Sequence, residues 1–306
     1  MSICYIDCSP FMRELMDEVA DVHAGAIAVN VGDPGADEIV ELARGHDVLM
    51  NGHSFMNDDV LRRLPDLRRI VFLGSGATSY IDVEAAGRRD IEVLTVTGYG
   101  DRSVAEHATA LMFAAARQVA RMDRTLRDGD WDPLEGIELA GRTIGIIGFG
   151  GIGREMARIA QALGMVPLIW NRRPLDAEWS AFQACSLEEL LRESDVISLH
   201  LALTNETRRL LGRAEFGLMK RGVLLINTAR AGLIDQTALL GALREERLGH
   251  AALDVFDEEP LPPENPYVAM DNVTLTAHAG FKTRAASRRL LRDALAKALA
   301  PISHRG

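Results

Sequence analysis

Two series of short runs rich in Ile, Val and Leu, each run separated from the next by a stretch of helical character, constrain this chain more than any other feature. Strands that alternate with helices are joined by crossovers, and crossovers give parallel pairing in an open α/β sheet. The first series reads as strands over residues 2–6, 26–31, 48–51, 70–73 and 91–96. Helices are expected over 9–20, 36–44, 57–64 and 82–88, the first with Ser9 as N-cap and Pro10 at its first position. A single long helix is expected over 103–127, apolar on more than one face, which suits burial against a partner domain or subunit. The alternation restarts at Thr143 with TIGIIGF, MVPLIW, DVISLHL, GVLLINT, HAALDVF and NVTLTAH. A final helix over 284–300 has no strand left to serve and is expected to return to the first domain.

Composition narrows the possible partners. The 306 residues fit two ordinary domains, and 47% hydrophobic with 25% charged residues describes a folded chain. Lys and Arg total 34 against 44 Asp and Glu, a formal charge of −10 that disfavours nucleic acid or an anionic membrane as main partner. Cys4, Cys8 and Cys185 form neither a disulfide framework nor a metal-ligand spacing. The N-terminus does not read as a signal peptide, and no run approaches the ~18 apolar residues of a membrane span. A cytoplasmic protein without a metal is expected, with no room for an appended regulatory domain.

Gly148, Gly150 and Gly153 form G-x-G-x-x-G directly after the strand TIGII and before the helical run REMARIAQALG. Glycines also cluster in plain turns, so the strand-turn-helix context carries the argument. The first glycine permits the tight turn, the second lets a pyrophosphate approach the backbone, and the third lets helix and strand pack closely. A dinucleotide is the expected ligand. The next strand ends in Asn171, Arg172 and Arg173, where an NAD site normally places an acid about 20 residues past the glycines to hold the ribose hydroxyls. Guanidinium groups suit a 2′-phosphate instead, so NADP(H) is favoured, with NAD(H) left open and a solvated arginine pair as the bland alternative.

Three further residues lie at or just past predicted strand ends: Arg230 in NTARAGLID, Glu259 in LDVFDEEP, and His278 in TAHAG. Ligands bind at the carboxyl ends of strands in such sheets. Reducing a 2-oxo acid needs a cation for the carboxylate, an acid for the carbonyl oxygen, and a partner that keeps the acid charged. Arg230 suits the first task, His278 the second and Glu259 the third. Each alone has an ordinary structural reading, as a salt bridge, a packed ring or one acid in a run.

Taken together, SVAEHA (103–108), GIIGFGGIG (145–153), SLHLALTNET (198–207), LLINTARAGLID (224–235), ALDVFDEEP (252–260) and TAHAG (276–280) resemble the D-isomer-specific 2-hydroxyacid dehydrogenases. Glyoxylate and hydroxypyruvate reductases, D-lactate and phosphoglycerate dehydrogenases and formate dehydrogenase belong to that family. The resemblance implies two doubly wound parallel-sheet domains. A Rossmann coenzyme domain, 99–284, is inserted in a flavodoxin-like substrate domain, 1–98 with 285–306. It implies that Arg230, Glu259 and His278 are catalytic, and that Arg230 and His278 meet substrate together with the backbone N–H groups of Gly74, Ser75 and Gly76. Asp254 is implied to contact the nicotinamide carboxamide. Cofactor contacts are further implied for Gly151, Ile152, Ser103, Leu201 and Thr207, and for Thr228, Ala229 and Gly280. The helix from Ser103 resembles the family's dimer-forming element, so a homodimer is expected.

Two stretches depart from the family pattern. Phe281 and Lys282 follow TAHAG, and GYGDR (98–102) brings Tyr99; both aromatics either narrow the pocket or simply pack. His107 and His200 lie in family motifs with structural or cofactor-positioning roles expected, whereas His23, His46, His53 and His304 show no evident partner. The expected activity is reduction of glyoxylate or hydroxypyruvate with NADPH. The alternatives are an NAD-dependent D-2-hydroxyacid dehydrogenase with another substrate, or a dinucleotide-sensing interaction protein like the corepressors that share this fold.

Overall fold

The structure, a computed structural model, describes residues 2–19 and 27–302. Ala20, Ala26, His23 and His304, which figure in the expectations above, lie outside the described residues. Two compact units emerge, Met1–Gly100 with Lys282–Gly306, and Asp101–Phe281.

The first unit contains β1 (Ile3–Cys8), α1 (Pro10–Val19), β2 (Ile27–Val31), α2 (Ala36–Ala43), β3 (Val48–Asn51), α3 (Asp58–Arg62), β4 (Arg69–Phe72), α4 (Val83–Gly87) and β5 (Glu92–Thr95). Its parallel sheet runs β2-β1-β3-β4-β5, the flavodoxin-like order. All of β1, β3 and β4 is buried, which is why these segments read as continuous apolar runs rather than alternating ones. One face packs Ile39, Val60, Leu61 and Ala85 from α2, α3 and α4 against Cys4, Ile6, Leu49 and Ile70. The other is covered by the chain's last helix, Arg284–Leu299, whose Leu290, Leu291 and Ala294 meet Ile3, Tyr5, Val48 and Met50. Arg284 and Arg288 pair with Glu18 of α1. Tyr99 joins this packing.

Arg69 fixes the end of that last helix. Only 2% exposed, it reaches Glu92 at 2.7 Å and donates to the carbonyls of Lys297, Ala300 and Pro301 at 2.6–3.0 Å. Those of Lys297 and Ala300 lie at the helix end, where carbonyls lack internal partners, and that of Pro301 lies just beyond it.

The second unit opens with α5 (Asp101–Ala116) and α6 (Val119–Arg127), followed by β6 (Thr143–Ile147), α7 (Gly151–Ala162), β7 (Val166–Trp170), β8 (Gln183–Ala184) and α8 (Leu187–Glu193). It continues through β9 (Val196–Leu199), α9 (Arg213–Leu218), β10 (Val223–Asn227), α10 (Gln236–Arg244), β11 (Leu248–Leu253) and β12 (Val273–Leu275); the last helix of the chain, in the first unit, is α11. The expected single helix over 103–127 is broken in two. Gln118 adopts φ +50, and Ala116 O leaves the helical ladder to accept from Ile137 N at 2.9 Å. Two-residue β8 is an addition, too short and too exposed to show an apolar run.

The parallel sheet of this unit runs β12-β11-β10-β9-β6-β7-β8. Sequence order therefore proceeds outward in both directions from the β6/β9 pair, the kind of switch point where open sheets bind ligands. One face is covered by α5 and α7, the other by α8, α9 and α10. No helix among the described residues is long and apolar enough to cross a membrane.

Arg69→Ala should cost the first unit about 2–3 kcal/mol, because buried carbonyls lose a charged donor. Hydrogen exchange checks this: amides of α11 should lose protection most, and unchanged protection there would contradict the capping role.

Candidate active site

Strand register builds the glycine loop. Ile147 stands level with Leu199 of β9 and Trp170 of β7, so the chain leaves β6 beside the ends of both neighbours. Gly148 turns at φ +99 and donates to Trp170 O at 2.8 Å; a Cβ there would lie 2.6 Å from His200 O. A Cβ on Gly153 would stand 2.1 Å from Gly148 O, so only glycine lets α7 pack this closely on the turn. Gly151 is similarly crowded by Asp101, and Ile152 packs on the core. A Cβ on Gly150, by contrast, would meet nothing within 4 Å. That open backbone lies at the start of a 12-residue helix with no side-chain cap, an arrangement suited to a phosphate.

A cleft of about 590 Å³ adjoins this loop, lined by Gly150, Asn171, Arg172, Arg173, Leu201 and Thr207 among others. Asn171 spends its amide on the backbone, accepting from Phe149 N at 3.2 Å and donating to Arg173 O at 3.0 Å. It thereby ties the glycine loop to the two arginines. Arg154 pairs with Asp176 at 3.1 Å and lies 5.1 Å over the Trp179 ring. Arg172 pairs with Glu206, from the loop after β9, whereas Arg173 has no carboxylate partner among the described residues. Sequence reasoning missed Glu206, since nothing in TNET marks an acid destined for an arginine 34 residues away.

The ends of β10, β11 and β12 carry the second cluster. Asn227 is level with Leu253 and Leu253 with Leu275, which sets Thr228, Asp254 and Thr276 side by side. Asp254, 1% exposed, accepts from Thr276 Oγ1 at 2.6 Å and from the N–H groups of Ala279 and Gly280, both at 2.9 Å. His107 of α5 donates to Thr276 Oγ1 at 3.0 Å and stands 3.3 Å from the carboxylate. Burial works to raise this carboxyl, but the hydrogen bonds outweigh it and hold the pKa at about 2. Ser103, also on α5, is buried. Thr228 Oγ1 is buried with no hydrogen-bond partner among the described residues, the kind of orphan a bound ligand satisfies.

His278 follows Thr276 at φ +49, an uncommon conformation for a side chain with a Cβ, and its N–H donates to Asp254 O at 2.9 Å. Its Nδ1 meets Glu259 Oε2 at 2.7 Å, and Glu259 Oε1 accepts from Phe256 N at 2.9 Å. The Phe281 ring lies edge-on, 6.1 Å from the imidazole. Arg230 stands at the end of β10, held by Asn227 through its backbone carbonyl, with Nη1 on Ala229 O at 2.6 Å. The structure thus joins His278 and Glu259 directly, and places Arg230 past the end of β10, one strand over from β12 across β11, without a bond to either. An open glycine backbone, two cleft arginines and an orphan hydroxyl fit a dinucleotide.

In the first unit, Gly74 N donates to Phe72 O at 2.9 Å, whereas the N–H groups of Ser75 and Gly76 have no acceptor among the described residues. His46 and His53, without evident partners in the sequence, do have them: Ser2 Oγ at 2.8 Å for His46, and Asp33 at 2.6 Å for His53.

Two other histidines of the second unit are held uncharged near neutral pH by burial. His200 donates to or accepts from Ser198 Oγ at 2.9 Å, and burial lowers its pKa to about 4. His250 on β11, paired with Thr274 at 2.9 Å, is lowered to about 4 by burial and then by Arg124 and Arg121. Unfolded histidine titrates near 6.5, so only the unfolded chain takes these protons between about pH 6.5 and 4. Stability should fall as pH drops through that window, by roughly 1.4 kcal/mol per pH unit for each ring, and level off below it. Denaturant unfolding of His250→Gln should show a shallower pH slope than wild type; equal slopes would contradict it.

Comparison with known proteins supplies four findings. A family model described as D-isomer specific 2-hydroxyacid dehydrogenase, NAD binding domain, matches residues 109–280. A glyoxylate reductase from Aeropyrum pernix is 39% identical over 292 residues, 89% of this chain and 86% of the relative. A D-3-phosphoglycerate dehydrogenase from Archaeoglobus fulgidus is 36% identical over 267 residues, 85% of this chain but half of that protein's length. Among solved structures, the TT0316 protein from Thermus thermophilus superposes with a TM-score of 0.88 at 35% identity, covering 98% of this chain and 96% of that one.

Proposed function

The chain belongs to the D-isomer-specific 2-hydroxyacid dehydrogenases, enzymes that use a nicotinamide dinucleotide, and from that premise we propose an NADP(H)-dependent reductase of glyoxylate or hydroxypyruvate. The observation that carries the chemistry is the 2.7 Å contact between His278 and Glu259 at the end of β12. The bound dinucleotide supplies the hydride. All other tasks fall to the chain's own side chains. Arg230 takes the substrate carboxylate with its planar fork, exchanging the Ala229 carbonyl for the ligand. His278 is the general acid: Glu259 occupies Nδ1, so Nε2 is the nitrogen that gives its proton to the carbonyl oxygen. Glu259 fixes the ring's tautomer and orientation. Asp254 holds the loop that carries His278 and orients the carboxamide. In the first unit, the unclaimed N–H groups of Ser75 and Gly76 suit a carboxylate as well.

Arg172 and Arg173 support NADP(H), since guanidinium groups bind a 2′-phosphate where an acid would repel it. Phe113, Val119, Leu126 and Trp131 expose apolar surface on α5, α6 and the following loop, and this surface supports a homodimer. The free thiols of Cys4 and Cys8, pushed up to about 11 chiefly by burial, suit the reducing cytoplasm.

His278→Asn should lower turnover by roughly 10² to 10⁴ while leaving NADP+ affinity close to wild type. Turnover near wild type would refute the assigned role. A steady-state panel of glyoxylate, hydroxypyruvate, pyruvate and phenylpyruvate with NADPH and NADH tests the substrate reading. The highest kcat/KM is expected for glyoxylate or hydroxypyruvate with NADPH; dinucleotide binding without turnover would favour an interaction protein instead.

A further inference from the structure

The cleft beside the glycine loop holds an acid that the end of β7 lacks. Asn171 stands where an NAD site normally has a carboxylate, and its amide is already bound to Phe149 N and Arg173 O. Glu206 reaches the same cleft from the loop after β9, a loop pinned by Thr207 Oγ1 on Ala202 O at 2.7 Å. There it pairs with Arg172, one of the two arginines assigned above to a 2′-phosphate. The side chains of this pair are 63% and 70% exposed. An ion pair so open to water is a contact that exchanges easily.

We propose that Glu206 sets cofactor choice, as the counter-anion that withdraws Arg172 from the 2′-phosphate of NADP(H) and as the acceptor for the ribose hydroxyls of NAD(H). The proposal rests on the dinucleotide reading of the cleft, and deepens it. With Arg172 engaged, Arg173 is the guanidinium free to meet a phosphate first. A dianionic phosphate then competes with Glu206 for Arg172, and a displaced carboxylate nearby opposes it by like-charge repulsion. Against NAD(H) the same carboxylate is an asset, because two vicinal hydroxyls donate to it as they do to the acid at an ordinary strand end. Asp176, the other carboxylate of the cleft, is held by Arg154, itself stacked over Trp179, and is the comparison residue.

Titration calorimetry with NADP+ and NAD+, together with kcat/KM for glyoxylate with each reduced cofactor, tests this on wild type, Glu206→Gln and Asp176→Asn. Releasing an exposed pair should tighten NADP+ by about fivefold, and losing a charged acceptor should weaken NAD+ comparably, moving the ratio by more than roughly tenfold. Asp176→Asn should move it far less. An unchanged ratio in Glu206→Gln, or an equal shift in Asp176→Asn, overturns the proposal. A wild type that prefers NAD+ would defeat the NADP(H) reading alone, because the Glu206→Gln shift still decides this one. A wild type that binds neither dinucleotide defeats both.

Discussion

One buried carboxylate, Asp254, positions the chemistry of the second unit. Burying a charge in a protein interior is costly unless donors replace its lost water. Here Thr276, Ala279, Gly280 and His107 do so, which fastens the end of β11 to the loop beyond β12 and to α5. That loop contains His278 in a left-handed conformation, strain of order 1 kcal/mol or more that persists only where the surroundings over-determine it. The N–H of His278 on Asp254 O, and the N–H groups of the next two residues on the carboxylate, provide that determination. A Cβ on Gly280 would come within 3.2 Å of Asp254 Oδ2, so glycine keeps the donor close.

Two carboxylate–imidazole pairs of the second unit differ in environment. His107 and Asp254 are joined through Thr276 in a setting where the acid is 1% exposed, and that pair is a fixed brace. His278 and Glu259 are 37% and 35% exposed, so the ring is held in place yet open to exchange its proton. Environment, rather than residue type, divides the bracing pair from the pair proposed to supply the acid.

Much of this was legible in the sequence for identifiable reasons. Parallel strands buried on both faces must be apolar along their length, so β1, β3, β9 and β10 announce themselves. The glycine loop was legible because Gly148 and Gly153 answer to backbone geometry no other residue satisfies. The break at Gln118 was not, because its cause is a loop twenty residues on that claims Ala116 O. Nor was Glu206, or the Asp33 partner of His53, since both pairings depend on which strand ends the sheet order brings together. The orientation of Arg230 toward Ala229 O is equally invisible to spacing.

The central claim is that Arg230 and His278, past the ends of β10 and β12 on either side of β11, act on one small 2-oxo acid. A crystal structure of the protein with NADP+ and oxamate tests this most directly. The account predicts the oxamate carboxylate on the Arg230 guanidinium and its neighbouring oxygen about 2.6–3.2 Å from Nε2 of His278, the reach of a general acid. Oxamate bound away from Arg230, or His278 turned so that Nε2 meets only protein, would contradict it.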